Sequence, residues 1–386
     1  MALRVPSYAV ITVGGTNGKG STVAMLDAIL RAAGYRVGAY TSPHLVRYNE
    51  RVRIDGAEVS DDQLCRAFER IEQARGATPL TYFEFGTLAA FDCFHRARID
   101  VAVLEVGMGG RLDAVNAVDA DCAVLTAIDI DHTAWLGGTR GAIAREKAGI
   151  FRGGRPAVVS DPDPPAVVAE VAAAVGAPLY CINRDFSFER TEGGWHWRNH
   201  GRVRTGLPLP ALRGDYQLLN AAGVLMALEL LADRFPVAQT NIRDGLLNAV
   251  VPGRFQVLPG RPTRVLDVGH NPHAARALAA TLRQQPVRGR SIAVFGMLQD
   301  KDAAGVAQAL AGSFDAWHVA TLTSERGAAA DDLAATLRAQ GVTAPISLFA
   351  DPITAYEAAC HEARDEDRVV VFGSFYTVGD ILARVS

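Results

Sequence analysis

The stretch "YAVITVGGTNGKGSTVAMLDAILRAAG", residues 8–34, constrains this chain more than any other. A short apolar run, 8–13, reads as a buried strand, and a glycine-rich loop follows it. Met25, Leu26, Ile29 and Leu30 then recur on one helical face until Gly34 stops the helix. Strand, glycine loop and helix in that order make a phosphate cradle. Glycines let backbone N–H groups converge on phosphate oxygens, and a helix N-terminus favours an anion. Lys19 would reach the outer phosphates. The loop departs from G-x-x-x-x-G-K-[ST] in two ways: counting back five from Gly18 reaches Val13, and Gly20 occupies the place of the metal-binding hydroxyl, which moves to Ser21. A plain glycine turn is the competing explanation.

The rest of the chain alternates in the same manner. "RVGAYTS", "DVAVLEV" (100–106), "CAVLTAI" (122–128) and "PAVVS" (156–160) read as further strands, with a helix near 140–150 between the last two. That is the β-α-β order of a parallel sheet covered on both faces. Residues 182–215 instead alternate polar and apolar around a Gly-Gly turn, as antiparallel strands do. Helices follow over 216–233 and near 239–249. "VPGRFQVLPGRPT" (251–263) is rich in proline and glycine, and the domain boundary is placed there, giving domains 1–257 and 258–386. Beyond it come five strand–helix units, "TRVLDVG", "SIAVFGM", "AWHVATL", "ISLF" and "RVVVFGS". They predict a small doubly wound domain without the G-x-G-x-x-G of a dinucleotide site.

Composition removes several function classes. With 386 residues there is room for two or three domains with real cores. A net charge of −3 argues against a nucleic-acid binder built on a basic face. Five scattered cysteines, without a C-x-x-C pair, fit a reducing compartment better than a disulfide framework or a zinc site. No stretch approaches the ~18 uninterrupted apolar residues of a membrane span, and the N-terminus does not read as a signal peptide.

Several polar residues fall where a parallel sheet gathers its strand ends. Glu105 ends an apolar strand, where a charge is costly unless it faces an active edge that a Mg²⁺ could occupy, and Arg111 and Asp113 follow two glycines. Asp129, Asp131 and His132 end the next strand, so Glu105 and His132 could meet there; Ser42 ends another. Tyr82, Phe83 and Phe85 are aromatics that either fill a core or stack on a flat heterocycle. Beyond the boundary, Asp267 with His270, and Lys301, sit at strand-to-helix turns.

Lys147 is the most unusual of these residues. Of 39 basic residues only Lys19, Lys147 and Lys301 are lysines. Ile143, Lys147 and Ile150, at i, i+4 and i+7, place this one on an apolar helical stripe. It could snorkel to the surface, bind phosphate, or react as the neutral amine with CO₂ to give an anionic carbamate that ligates a metal. Arginine cannot take the last role, because its guanidinium does not deprotonate in proteins.

"GTNGKGS", "TSPHLVRYNERVRIDG", "TYFEFGT", "LEVGMGGRLDAVN", "DHTAWLG", "REKAGIF", "PGRFQ", "DVGHNPHAA" and "GMLQDKD", in this order, resemble the folylpolyglutamate synthases, most closely the bacterial form that is also a dihydrofolate synthase, and so the Mur ligases. The resemblance implies an α/β fold: a P-loop ATPase domain of the Mur-ligase type plus a smaller C-terminal Rossmann-like domain. It implies a carbamate on Lys147 and two Mg²⁺ ions held by Ser42, Glu105, His132 and Lys147. ATP contacts would come from Thr16, Asn17, Gly18, Lys19, Gly20, Ser21, Asn220, Arg254 and Asp267. Thr81, Tyr82, Phe83 and Glu84, with Leu112, Asp113 and Ala114, would line the pterin site. Lys19, Lys147 and His270 would serve the chemistry, His270 by orienting glutamate or the acyl phosphate.

The implied reaction is ATP-dependent addition of L-glutamate to dihydropteroate and to reduced folates through an acyl phosphate. Folylpolyglutamate synthesis alone, a cell-wall ligase of the Mur type, and a folate- or nucleotide-binding protein without turnover are the alternatives. A cytoplasmic monomer without nucleic-acid or membrane partners is expected. Family members carry a longer helical preface that forms part of the pocket wall, whereas seven residues precede "YAVITV" here, so a weakened hold on the pterin is a further expectation.

Overall fold

The structure, a computed structural model, describes residues 6–385. Most of the short segment preceding "YAVITV" lies outside the described residues. The chain forms two compact units: the first comprises residues 1–44, 48–211 and 216–250, the second 45–47, 212–215 and 251–386.

The first unit is built on eight strands: β1 (Ala9–Gly14), β2 (Val37–Tyr40), β3 (Val52–Ile54), β4 (Ala57–Glu58), β5 (Val101–Glu105), β6 (Cys122–Leu125), β7 (Ala157–Val159) and β8 (Leu179–Cys181). They lie in the order β4-β3-β2-β5-β1-β6-β7-β8. β2, β5, β1, β6, β7 and β8 run parallel, and β3 and β4 add antiparallel at one edge. β1 is central and wholly buried, as expected of an apolar strand covered on both faces. Its register pairs Val13 with Glu105 and Gly14 with Leu125. The ends of three strands are thereby set side by side, and the glycine loop leaves from the middle one.

Helix α1 (Lys19–Ala32) starts at Lys19, two residues before the apolar periodicity suggested, because Gly18 at φ 94° turns the chain into it. Two helices were not assigned from sequence, α2 (Asp61–Arg75), which buries Leu64, Ala67 and Ile71, and α3 (Tyr82–Ala97), which buries Ala90, Phe91 and Phe94. Each begins with a capping box, Ser60 with Gln63 and Thr81 with Glu84. α4 (Thr133–Leu136), α5 (Arg140–Ala148) and α6 (Val167–Val175) follow. β9 (Phe186–Thr191), β10 (Gly194–Asn199) and β11 (Val203–Leu207) form the expected antiparallel sheet. The buried Trp197 of β10 donates its indole N–H to the Ala222 carbonyl of α7 (Tyr216–Leu230), 3.1 Å.

α8 (Gln239–Asn248) packs on α1, where a Cβ on Gly245 would lie 2.4–2.6 Å from Ile29 atoms, two of them backbone. In a solvated helix Gly→Ala gains about 1 kcal/mol. Here Gly245→Ala should cost about 1–3 kcal/mol by overpacking. A lowered thermal midpoint checks this; an unchanged or raised midpoint would show that the two helices are not in close register.

The second unit contains β12 (Gln256–Leu258), β13 (Thr263–Asp267), β14 (Ser291–Phe295), β15 (Ala316–Ala320), β16 (Ile346–Phe349) and β17 (Arg368–Phe372), in the order β12-β13-β17-β14-β15-β16. All five predicted strands are present and parallel, and β12 adds an antiparallel edge. Alternate residues feed two cores. Ala293, Phe295, Val370 and Phe372 serve one, and Ile292, Val294, Val369 and Val371 the other. Helices α9 (Pro272–Gln284), α10 (Ala303–Leu310), α11 (Ala330–Ala339), α12 (Pro352–Glu362) and α13 (Phe375–Val385) complete the strand–helix units. Leu45, far away in sequence, packs in the second of these cores and closely approaches Gly253 and Gly379. Among the described residues no helix is long and apolar enough to cross a membrane.

Candidate active site

The glycine loop is laced to the end of β6. Thr16 N–H donates to the Ala127 carbonyl at 2.7 Å, and its hydroxyl donates to the Asp129 carbonyl (2.9 Å) while accepting from Asp129 N–H (3.0 Å). The Thr126 hydroxyl lies between the Gly14 and Asn17 carbonyls, and a Cβ on Gly15 would fall 1.8 Å from it. Lys19 folds back over the loop, donating to the carbonyls of Gly15 (3.1 Å) and Thr16 (3.2 Å). At the start of α1, Gly20 passes the carboxylate of Glu105, which is only 4 % exposed and accepts from Ser42 N–H at 3.2 Å. Ser21 Oγ accepts from Gln217 Nε2, and Asn220 packs directly on Gly18.

Lys147 does not snorkel. It is 4 % exposed, between the fully buried Ile143 and Ile150, and its Nζ donates to the Gly15 carbonyl at 2.8 Å. Lys19 donates to the same oxygen, so the two amines lie within about 6 Å of each other. Burial, then the charge of Lys19, pulls the Lys147 amine down to about 7, against the opposing pull of Asp131 and Asp113. The end of α5 is held by its fit to the 107–116 loop. A Cβ on Gly149 would collide with Arg111, and one on Gly110 with the carbonyls of Glu146 and Lys147. Arg111 donates its backbone N–H to the Glu146 carbonyl (2.9 Å) and pairs with its carboxylate (3.1 Å), while Asn116 Nδ2 donates to the Gly149 carbonyl (3.1 Å). Asp113 organises the loop by accepting from the N–H groups of Met108 and Val115, and burial raises its pKa.

His132 leads into α4 at φ 53°, its backbone N–H held by Asp131 Oδ1 at 2.8 Å. Among the described residues no group of three or more His, Cys, Asp or Glu side chains is arranged to hold a metal ion. The predicted ligand set needs no such group, since it counts one carboxylate, one imidazole, one hydroxyl and one amine. The oxygen of buried Glu105, beside a phosphate cradle, suits a hard cation such as Mg²⁺. The amine of Lys147 suits it only as an anionic derivative. In that form its donor chemistry, with that of Glu105, fits the ion.

The candidate pterin residues sit at the start of α3 and in the 107–116 loop. Thr81 and Glu84 spend their side chains on the capping box. Phe83 packs on Gly107 and Tyr40. Tyr82 is 65 % and Leu112 80 % exposed; Ala114 opens a single turn after Asp113. Three residues not singled out from sequence, Arg51, Tyr48 and His44, adjoin Tyr82. Arg51 lies over the rings of Tyr48 and Tyr82, 5.3 and 5.5 Å away, and donates to His44 Nδ1 at 2.8 Å. The interleaved "RYNER" was the available signal.

A cavity of about 580 Å³ elsewhere in this unit is lined by Arg36, Arg66, Arg70, Arg96 and Cys93 among others. Its arginines already pair with Asp55, Asp62 and Asp92, so it offers little spare charge.

In the second unit, buried Asp267 accepts from Phe255 N–H (2.9 Å) and Gly269 N–H (2.8 Å). Its pKa is raised by burial and restrained by Arg254. Arg254 and His270 both face the Phe375 ring, at 5.2 and 6.0 Å. Lys301 lies in the turn before α10, where Arg326 pairs with the neighbouring Asp300.

A glycine loop that feeds a helix from the centre of a parallel sheet, with lysines converging on it, defines a nucleotide-phosphate site of the P-loop type. The Mur ligase middle domain matches residues 13–176, and the Mur ligase glutamate ligase domain matches 253–375. The dihydrofolate synthase/folylpolyglutamate synthase of Escherichia coli K12 is 46% identical over 377 residues, covering 98% of this chain and 86% of that protein. E. coli FolC in complex with DHPP and ADP superposes with a TM-score of 0.93 at 45% identity, covering 99% of this chain and 89% of that one. A bifunctional folylpolyglutamate synthase/dihydrofolate synthase with Mn, AMPPNP and L-glutamate bound gives 0.90 at 48% identity, over 98% and 89%. The chain belongs to the dihydrofolate synthase/folylpolyglutamate synthase family and is an ATP-dependent ligase.

The lysine gives a pH test. Folded Lys147 titrates near 7 and an unfolded lysine near 10.5, so between these values the folded state binds fewer protons. Stability therefore rises as pH climbs from about 7 to about 10, and the full penalty applies below about 7. With CO₂ excluded, Lys147→Met should flatten that slope and be the more stable protein near pH 6, read from urea midpoints. Equal slopes in both proteins would mean that the amine is not buried.

Proposed function

We propose that the chain joins L-glutamate to dihydropteroate and to the terminal γ-carboxylate of reduced folates, activating each carboxylate as an acyl phosphate with ATP. What carries the proposal is the convergence of Lys19 and Lys147 on the Gly15 carbonyl, beside buried Glu105. The ligands carried by the similar structures, DHPP with ADP in one and AMPPNP with L-glutamate in the other, support it. Action in the cytoplasm, as a monomer, is part of the same proposal.

The backbone N–H groups from Gly18 to Ser21, with the N-terminus of α1, hold the phosphates, while Thr16 anchors the loop to the end of β6. Lys19 exchanges its loop carbonyls for phosphate oxygens. Asn220, Arg254 and Asp267 contact the nucleotide. The neutral Lys147 amine bonds to the carbon of CO₂ and releases a proton, R–NH₂ + CO₂ → R–NH–COO⁻ + H⁺, which replaces a buried cation by an anion. Ser42, Glu105, His132 and carbamylated Lys147 would hold two Mg²⁺ ions. When bound, these neutralise charge on the transferring phosphoryl group. The residues 81–84 and 112–114 flank the pterin, and His270 orients glutamate or the acyl phosphate. The glutamate amine bonds to the acyl carbon, the bond from that carbon to the phosphate oxygen breaks, and phosphate and a proton depart. The protein's share is positioning and charge neutralisation.

Incubation with ATP, labelled glutamate and either dihydropteroate or tetrahydrofolate should give both products. Product from tetrahydrofolate alone would leave a folylpolyglutamate synthase, and no product from either would overturn the proposal. Lys147→Arg should cut ligation by roughly 100-fold or more in a folded protein whose melting temperature is somewhat lowered, because the buried guanidinium cannot shed its charge. Equilibrated with ¹³C-bicarbonate, the wild-type protein should show a carbamate carbon resonance that Lys147→Arg lacks. A fully active arginine variant would remove the carbamate.

A further inference from the structure

α7 carries one buried amide that the mechanism above leaves unused. Gln217 is 1 % exposed, and its helix is otherwise nearly all apolar on the buried side. Its Oε1 accepts from Asn220 Nδ2 at 2.9 Å, one turn further along the same face. Its Nε2 donates to Ser21 Oγ at 3.2 Å. Asn220 lies against Gly18, where Oδ1 would be 2.5 Å from an added Cβ. Three side chains, all nearly inaccessible, thus link α7 to both ends of the turn that begins α1.

The direction of this chain has a chemical consequence. An amide offers an acceptor at one end and donors at the other. Because Asn220 takes the oxygen of Gln217, the NH₂ end faces Ser21. Ser21 is then an acceptor toward Gln217, and its own O–H, with its second lone pair, is turned to the other side. A hydroxyl without this partner would rotate among more orientations; the bond from Gln217 narrows that choice before a nucleotide arrives.

We infer that Gln217 is a positioning residue for the nucleotide: it orients the Ser21 hydroxyl and braces Asn220 on Gly18, so that the loop meets the phosphates in a fixed arrangement. The inference rests on the ATP role proposed above.

Gln217→Met keeps the volume and removes both hydrogen bonds. It should weaken nucleotide binding and raise the ATP KM about 10-fold, the scale of losing two such bonds. The glutamate KM should stay within about twofold, while the melting temperature falls modestly because Ser21 and Asn220 lose a buried partner. In a Ser21→Ala background, where the acceptor is already gone, Gln217→Met should cost markedly less than in the wild-type protein. Gln217→Glu keeps the shape and an acceptor for Asn220 but offers Ser21 no donor, so it should also weaken nucleotide binding; it decides the matter if the Met variant fails to fold. Direct titration with ADP gives the readout apart from turnover. A wild-type chain that binds no nucleotide would sink the proposed function itself. Wild-type binding with unaltered affinity in the variants, or a lowered melting temperature with ATP KM unchanged, would overturn the role of Gln217 alone.

Discussion

Two lysine amines share one carbonyl oxygen, that of Gly15, and much of the first unit is arranged around that meeting. Like charges so close, one of them buried, are unfavourable unless one gives up its proton. The fold enforces the encounter from both directions. Parallel pairing of β1 with β5 and β6 fixes where the loop emerges. The fit of Gly149 and Gly110 between α5 and the 107–116 loop fixes where Lys147 points. A positively charged loop that awaits phosphate therefore lies beside an amine poised to react as a base, and each condition follows from the other.

The polar residues around this point divide into those that hold the loop and those left for ligands. Thr16 and Thr126 use their hydroxyls on backbone carbonyls at the end of β6. Asp113, Thr81 and Glu84, assigned to the pterin site by resemblance, spend carboxylate and hydroxyl groups on backbone N–H donors. If they also face a substrate, they do so through backbone and shape. Glu105 and Lys147 differ, for both are buried ionisable groups set against the loop itself.

Much of this arrangement was legible before any coordinates, for identifiable reasons. Apolar runs such as 8–13 and 101–105 are buried on both faces and show plainly as strands, so the sheet and the place of the glycine loop could be read directly. The i, i+4, i+7 spacing of Ile143, Lys147 and Ile150 put the lysine on an apolar stripe and left snorkelling open; the structure buries it. What escaped were elements whose signal is polar. α2 is amphipathic with a mostly charged exterior, and its start is written only in the Ser60–Gln63 capping box. The Arg51 contacts with Tyr48 and Tyr82 join residues from separate elements, which no local periodicity encodes. The direction of the Gln217 amide likewise depends on partners nearly two hundred positions apart.

The second unit draws residues 45–47 and 212–215 from within the span of the first, and Leu45 fills space beside Gly253 and Gly379. This unit is consequently not a portable module. A gene fragment opening at 251 would encode a sheet and its helices with a vacant apolar notch, and recombination between relatives would have to exchange three separated stretches together to preserve that packing.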